Sequence, residues 1–206
     1  MRNAATTLGI AISIGFGFAP VAGADEPVIG GPCEGCELVF VGLPERIPSI
    51  GRIAPLNEPG DPLRIEGIVT GSDGRPSAGI IVYAYHTDAS GVYPKGSTRH
   101  GRLRGWARTD DEGRYRFDTI RPGAYPGRSI TQHVHMHVIE PAIATYWITN
   151  IEFSDDPLLT SGKRRVAAAG RGGSGLVEPV RDDSGRWHVR RDIVLGLNIP
   201  DYVPPR

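Results

Sequence analysis

Short runs of alternating hydrophobic and polar residues recur along the chain after residue 62. Alternation with a period of two places successive side chains on opposite faces of an extended strand. Clusters of Asp, Ser and Gly separate the runs, as in SDG at 72–74 and DDEG at 110–113, and such clusters are typical of turns. The pattern predicts β-strands at residues 65–70, 80–85, 115–119, 134–139, 146–153 and 187–195.

Helical signals are weak throughout the chain. No segment of about 11 residues or more carries a convincing period of 3.6. Residues 161–175 are rich in glycine and basic residues, which predicts a flexible loop whose charges are solvated. The sequence therefore predicts an all-β protein, and an antiparallel β-sandwich is favoured over a closed barrel.

The N-terminal region differs in composition from the rest. Arg2 precedes an apolar stretch at residues 8–21, and Ala-Gly-Ala follows at 22–24, which predicts a signal peptide over residues 1–24 and a mature chain that starts at Asp25. A transmembrane helix is the alternative, but the stretch is shorter than the roughly 20 residues of a span. We expect a protein exported to the periplasm or the medium, with no membrane span after cleavage.

Residues 25–62 form a predicted N-terminal arm ahead of a single domain at residues 63–206. The arm is rich in Pro, Gly and acidic residues, and its apolar run at 37–41 could form a strand. A hydrophobic content of 39% is enough for a core in the domain. The 23 basic and 23 acidic side chains cancel, so no broad field favours nucleic-acid binding.

The arm carries the only two cysteines of the sequence, Cys33 and Cys36, in a C-x-x-C motif. An exported protein folds under oxidising conditions, so a local disulfide is expected. A zinc knuckle would need two more ligands in a nearby cluster, and the chain has no further cysteines.

Candidate chemistry concentrates in the HVHMHV run at 133–138. On a strand His133, His135 and His137 share one face, which suggests a metal site, although an exposed polar stripe would give the same pattern. Neighbours in this set are about 6.6–6.8 Å apart along a strand, so His133 with His135 or His135 with His137 can share one ion, and a third ligand would demand a bulge. Further ligands must come from elsewhere. Tyr93 and Tyr125, each followed by Pro, are candidates or ordinary loop aromatics.

The segment GWARTDDEGRYRFDTIRPGAYPGR, followed by HVHMHVIEP, resembles the catalytic core of the intradiol ring-cleavage dioxygenases, the family of the protocatechuate and catechol dioxygenases. The family pattern has an upstream G-x-Y, a T-D-x-x-G-x-Y-x-F-x-T-I-x-P-G-x-Y block and then H-x-H. The resemblance extends over about residues 63–153 and implies the sandwich fold of that family.

The resemblance also implies an activity and a cofactor. It implies a non-haem Fe(III) held by Tyr93, Tyr125, His133 and His135, and cleavage of a catechol-type ring by O₂ to a cis,cis-muconate-type diacid. Tyr125 would also act in catalysis, by leaving the metal and taking a proton from the substrate. In the family a proline often lies six residues after the second histidine, and Pro141 lies six after His135. This register leaves His137 as a wall of the substrate pocket or a hydrogen-bond donor behind the ligands.

Two positions depart from the family pattern. The family usually has an arginine shortly before the first histidine, and here Arg128, five residues upstream of His133, is the nearest candidate for a catalytic cation. Asn150 falls where the family often has a glutamine near the O₂ pocket. An exported, non-catalytic β-sandwich that binds a ligand, glycan or protein is the alternative function. The identity of the catechol and assembly into a homo-oligomer are open at this point.

Overall fold

The structure, a computed structural model, describes residues 27–33 and 35–205. The predicted signal peptide at 1–24 and the start of the mature chain at Asp25 lie outside the described residues. Within the part of the chain that is described, no helix has the length and apolar composition that a membrane crossing requires.

The described residues form two β-sheets that pack face to face. The strands are β1 (Ile50–Arg52), β2 (Pro62–Thr70), β3 (Ile81–Tyr85), β4 (Arg104–Arg108), β5 (Arg114–Ile120), β6 (His133–Glu140), β7 (Ala144–Phe153), β8 (Leu176–Val177), β9 (Val180–Arg181), β10 (Trp187–Arg190) and β11 (Ile193–Val194). One sheet has the order β1-β5-β2-β10-β9, with β11 also paired to β2, and the other has the order β4-β3-β6-β7-β8. This architecture confirms the predicted all-β sandwich.

Antiparallel ladders form the centre of each sheet, and parallel pairs lie around them. The pairs β2–β5, β3–β4, β3–β6 and β6–β7 are antiparallel, as predicted. The pairs β1–β5, β10–β2, β11–β2 and β7–β8 are parallel, which the sequence did not indicate. The sandwich is therefore mixed, because the short strands β1, β8, β10 and β11 run in the same direction as the longer strands with which they pair.

The hydrophobic core lies between the sheets, and β6 shows how alternation builds it. Val134, Met136 and Val138 point into this core, so the alternating histidines of the strand lie on the outer face of the second sheet. The central strand β3 is buried on both faces, because the arm covers its outer side and Val39 packs against Ile81 and neighbouring aromatic side chains. The outer face of this sheet, together with the arm, frames the candidate site.

The apolar run at 37–41 does not form the strand that the sequence suggested. It contains a 3₁₀ turn at Cys36–Leu38, preceded by Gly35 with a φ of 95°. The backbone N–H groups of Leu38 and Val39 donate to carbonyls three residues back, at Gly35 and Cys36, so they form no ladder with a sheet. The run is apolar because Val39 is fully buried against β3.

The predicted flexible loop at 161–175 is also wrong, because its first half is the helix α1 (Ser161–Ala168). The side chain of Thr160 caps the helix by accepting a hydrogen bond of 3.3 Å from the backbone of Lys163. Ala167 is buried, and the helix packs against β7 and β8. The eight residues of α1 are too few for a helical period to stand out in the sequence.

The predicted strand at 187–195 is interrupted between β10 and β11. Arg191 is fully buried there and donates to the carbonyl of Gly172, while the carboxylate of Asp192 accepts a hydrogen bond of 2.9 Å from the backbone of Ile68. Side chains that satisfy backbone groups replace ladder bonds at this point.

Candidate metal centre

The four residues expected to bind the metal come together on the outer face of the second sheet. The hydroxyls of Tyr93 and Tyr125 lie 2.7 Å apart, and Nε2 of His133 lies 3.1 Å from Nε2 of His135. The ring centroids of Tyr125 and His133 are 5.1 Å apart, and those of Tyr93 and His135 are 6.4 Å apart. Two oxygen and two nitrogen donors therefore converge on one small region.

Two glycines allow the tyrosine loops to approach each other. A Cβ atom at Gly91 would lie 1.9 Å from the carbonyl oxygen of Ala124, and one at Gly123 would lie 2.5 Å from the carbonyl oxygen of Ala89. Gly91 also has a φ of 81°, which side chains rarely permit. Backbone contact between these loops fixes Tyr93 and Tyr125 at hydrogen-bonding distance.

The orientation of His133 is set by its neighbours. Its Nδ1–H donates to the carbonyl oxygen of Thr131 over 2.7 Å, which leaves the lone pair of Nε2 free to bind a metal. The hydroxyl of Thr131 in turn donates to a carboxylate oxygen of Glu152. This chain of contacts ties the first histidine to β7.

A register shift supports the second histidine. The β6–β7 ladder has a register shift at His135. Val134 pairs with Ile151 and Met136 pairs with Ile148, so an advance of two residues along β6 is matched by a step of three residues along β7. The amide of Asn150, within that step, hydrogen-bonds to His135. Bulges of this kind re-aim side chains next to functional sites. Asn150, which the family resemblance placed near the O₂ pocket, thus lies beside a candidate ligand.

The donor set fits a hard trivalent cation. Burial and the neighbouring Tyr125 raise the pKa of Tyr93, and burial with the adjacent His133 lowers the pKa of His135 to about 3. Without a cation, the phenol of Tyr93 and the imidazole of His135 are therefore buried as neutral groups that lose hydration and gain little. Two phenolates beside two neutral imidazoles would instead offset most of the charge of Fe(III), which prefers oxygen and imidazole donors.

His137 lies apart from this donor set and contacts the arm. Its Nε2 is 3.8 Å from Sγ of Cys33, and its side chain is buried. Cys33, Cys36 and His137 cluster closely enough to resemble a metal site. The two sulfurs are joined in a disulfide, however, so they are not thiolate ligands. His137 lines the cavity described below and fixes the arm beside it.

The sequence analysis missed Tyr85, which stacks on a candidate ligand. Its ring lies 4.5 Å from that of His135 at an angle of 15°, and 3.8 Å from that of His100 at 6°. Tyr85 pairs with His135 across the β3–β6 ladder. Only that register reveals its place, because no motif surrounds it in the sequence.

A cavity of about 920 Å³ opens beside the four donors. Tyr93, Tyr125 and His135 line it, together with Asn150 and Glu152. The remaining wall comes from the end of α1, the segment that follows it, and the outer face of β7. This volume is near the top of the range of about 300–1,000 Å³ for small-molecule sites.

Arg128 is not part of the cavity wall. It is exposed, and its backbone N–H donates to the carbonyl oxygen of Tyr125 over 3.2 Å. Its role as a catalytic cation stays a prediction. The cationic side chains that line the cavity are Arg99, Lys163 and Arg171.

Known proteins with similar sequences include dioxygenases. A profile of the dioxygenase family matches residues 52–171. The chain is 33% identical over 173 residues to catechol 1,2-dioxygenase 1 of Acinetobacter lwoffii, covering 71% of this chain and 54% of that protein. It is 32% identical over 116 residues to the protocatechuate 3,4-dioxygenase beta chain of Burkholderia cepacia, covering 48% of this chain and 49% of that protein. The chain thus spans about half the length of these relatives.

Solved structures share the fold. The dioxygenase domain of a dioxygenase and carbohydrate-binding protein fusion from Streptomyces sp. SirexAA-E superposes with a TM-score of 0.59 at 25% identity, over 74% of this chain and 91% of that one. A 3-chlorocatechol 1,2-dioxygenase from Rhodococcus opacus 1CP gives the same TM-score at 21% identity, over 82% of this chain and 71% of that one.

Proposed function

Because the chain belongs to the intradiol ring-cleavage dioxygenase family, we propose that it binds a non-haem Fe(III) and cleaves a catechol-type ring with O₂. The bond broken would lie between the two hydroxyl-bearing carbons, and both oxygen atoms would enter an open-chain diacid. The observation that carries this proposal is the convergence of two tyrosine hydroxyls and two histidine Nε2 atoms beside a cavity.

Each ligand would have a stated part. Tyr93, Tyr125, His133 and His135 would hold the iron, which supplies Lewis-acid charge that favours ionised oxygens and draws electron density from a bound ring. Tyr125 is half-buried at the cavity wall, where its Oη can take a proton from a substrate hydroxyl. Thr131 and Asn150 hold the two imidazoles in place from outside the ligand set.

Apolar side chains of the cavity wall would contact the reacting ring. Tyr85 and Trp147 present aromatic surface on the sheet side, and Val166 and Ala167 of α1 lie along the wall as well. An apolar wall around a few fixed polar groups is the arrangement expected of a site that orients a small aromatic molecule.

We further propose that the protein acts outside the cytoplasm. The composition of residues 1–24 and the Cys33–Cys36 disulfide support this, since disulfides persist in oxidising compartments. N-terminal sequencing of the secreted or periplasmic fraction tests it. A chain that starts at Asp25 is expected, and a retained hydrophobic segment contradicts the proposal.

Metal analysis combined with O₂ uptake tests the activity. The purified protein should contain one iron per chain, absorb visible light through phenolate-to-iron charge transfer, and consume one O₂ per catechol with the diacid as product. Tyr93→Phe and Tyr125→Phe should each shift or bleach the band. An iron-free, colourless protein that binds aromatic ligands without O₂ uptake would instead establish the non-catalytic binding module.

A further inference from the structure

One arginine that lines the cavity, Arg171, has no anionic partner among the described residues. The guanidinium of Arg171 lies over the ring of Trp147, 3.5 Å from its centroid. Its Nε and Nη2 atoms are buried and make no hydrogen bond with any of the described residues. A half-buried cation without an anion is costly, and a ligand carboxylate would offset that cost.

The other charges of the cavity favour an anionic ligand as well. Arg99 is paired with Glu37 at 3.2 Å, which satisfies one of the three cations. Lys163 donates to the carbonyl oxygen of Ser129 over 2.5 Å and has no ion pair with a carboxylate among residues 27–33 and 35–205. Among the described residues of the lining, Glu152 is the one carboxylate, and it accepts a hydrogen bond from Thr131. The described part of the wall thus carries net positive charge.

The position of Arg171 sets the distance between the anion and the reacting ring. Trp147, under the guanidinium, pairs with His137 across the β6–β7 ladder. His137 lies two residues beyond His135, which is about 7 Å along a strand. Because Arg171 lies over Trp147, we expect a carboxylate on a short side chain to reach it more readily than one attached directly to the ring.

We propose that Arg171, packed on Trp147, forms an anion subsite for a catechol whose carboxylate is carried on a side chain, as in 3,4-dihydroxycinnamate. This inference rests on the proposed function only in assuming that the ligand carries a catechol group at the four donors. The cavity volume of about 920 Å³ agrees with it, since a single ring with two hydroxyls would fill only a small part of that space. The Nη1 group of Arg171, which is not among the buried atoms, can donate to a carboxylate oxygen, and the charge of the guanidinium strengthens that hydrogen bond.

Binding measured under nitrogen tests the subsite without turnover. Isothermal titration of the wild-type protein, iron-loaded and metal-free, compares 3,4-dihydroxycinnamate with its neutral methyl ester. The acid should bind roughly tenfold tighter or more, which is the usual effect of a charge-assisted hydrogen bond in a partly buried site. Equal affinity for acid and ester overturns the proposal, and this comparison needs no variant.

Variants locate the carboxylate. Arg171→Met should remove the preference for the acid and leave the affinity for the ester unchanged. Arg165→Met, an exposed arginine of α1 outside the cavity lining, is the matched control and should change neither affinity. If Lys163→Met removes the preference and Arg171→Met does not, the carboxylate lies at another place in the cavity and the assignment to Arg171 is overturned.

The outcomes separate this inference from the proposed function. A protein that prefers the acid and shows no O₂ uptake with any catechol retains the subsite and loses the dioxygenase proposal. A protein that cleaves plain catechol and binds acid and ester equally retains the dioxygenase proposal and loses the subsite.

Discussion

The choice of histidines at the metal centre can be tested by removing one imidazole at a time. His133→Ala removes a nitrogen that lies 3.1 Å from Nε2 of His135, so it deletes one of four converging donors. His137→Ala removes an imidazole whose Nε2 faces Sγ of Cys33 instead. We expect His133→Ala to lose iron and colour, and His137→Ala to keep both.

The structure also indicates how much stability the His137→Ala substitution should remove. His137 is 3% exposed and packs against Tyr83, Tyr85 and His100 at centroid distances of 5.8–6.2 Å. Truncation leaves a cavity but also removes Nδ1, which is buried and has no partner among the described residues. We expect a net loss of about 2 kcal/mol in the free energy of unfolding. For a chain of this size that is a fall of roughly 4–8 °C in Tm.

Iron content, the visible band and thermal unfolding of the same preparations provide the assay. His188→Ala is the control, because His188 is on β10 and its imidazole bonds to Asp182 at 2.7 Å on the exposed surface. It should retain iron and colour. A colourless His137→Ala protein beside a coloured His133→Ala protein would refute the assignment and place the ligand pair two residues later.

Three further predictions follow from contacts around the site. Asn150→Ala should weaken iron binding by about 10–100-fold, measured by competition with a chelator, because it removes the hydrogen bond that orients His135. Replacement of Cys33 and Cys36 by serine should lower the free energy of unfolding by about 2 kcal/mol, measured by denaturant titration, since the bond closes a loop of few residues. Burial lowers the pKa of His86 to about 4, so its contribution to stability should be lost as pH falls from about 6.5 to 4. The slope of unfolding free energy against pH in that window should be shallower in His86→Gln by up to about 1.4 kcal/mol per pH unit, and an unchanged slope would contradict this.

Sequence periodicity predicted the strands that bury one face. β2, β5, β6 and β7 alternate between core and outer positions, and each was predicted within a few residues of its bounds. β4 was missed because its RGWAR sequence has little apolar alternation, and it is held by pairing with β3. Tertiary contacts, which leave no period in the sequence, define such elements.

The candidate site was predictable where its residues share a motif or a strand. The alternation on β6 indicated a histidine cluster but left two pairs open, and the family resemblance selected His133 and His135 and added Tyr93 and Tyr125. Tyr85 could not be found this way, since its stacking on His135, 50 residues later in the chain, follows from the register of two strands. Trp147 and Arg171 escaped notice for the same reason, because they meet only when the segment after α1 folds back onto β7.

Two of the cations that line the cavity come from a different part of the chain than the candidate metal ligands. The residues just before His133, at 130–132, are neutral, and Arg128 points to solvent, so the loop that leads into β6 brings no cation to the cavity. Lys163 and Arg171 come instead from α1 and the segment after it, an element with no donor to the metal centre. The proposed metal ligands and the cations of the proposed anion subsite therefore lie on different parts of the chain. Substitution in the α1 segment should change which catechol is bound and leave the iron in place, because the contacts that hold Tyr93, Tyr125, His133 and His135 do not pass through Arg171.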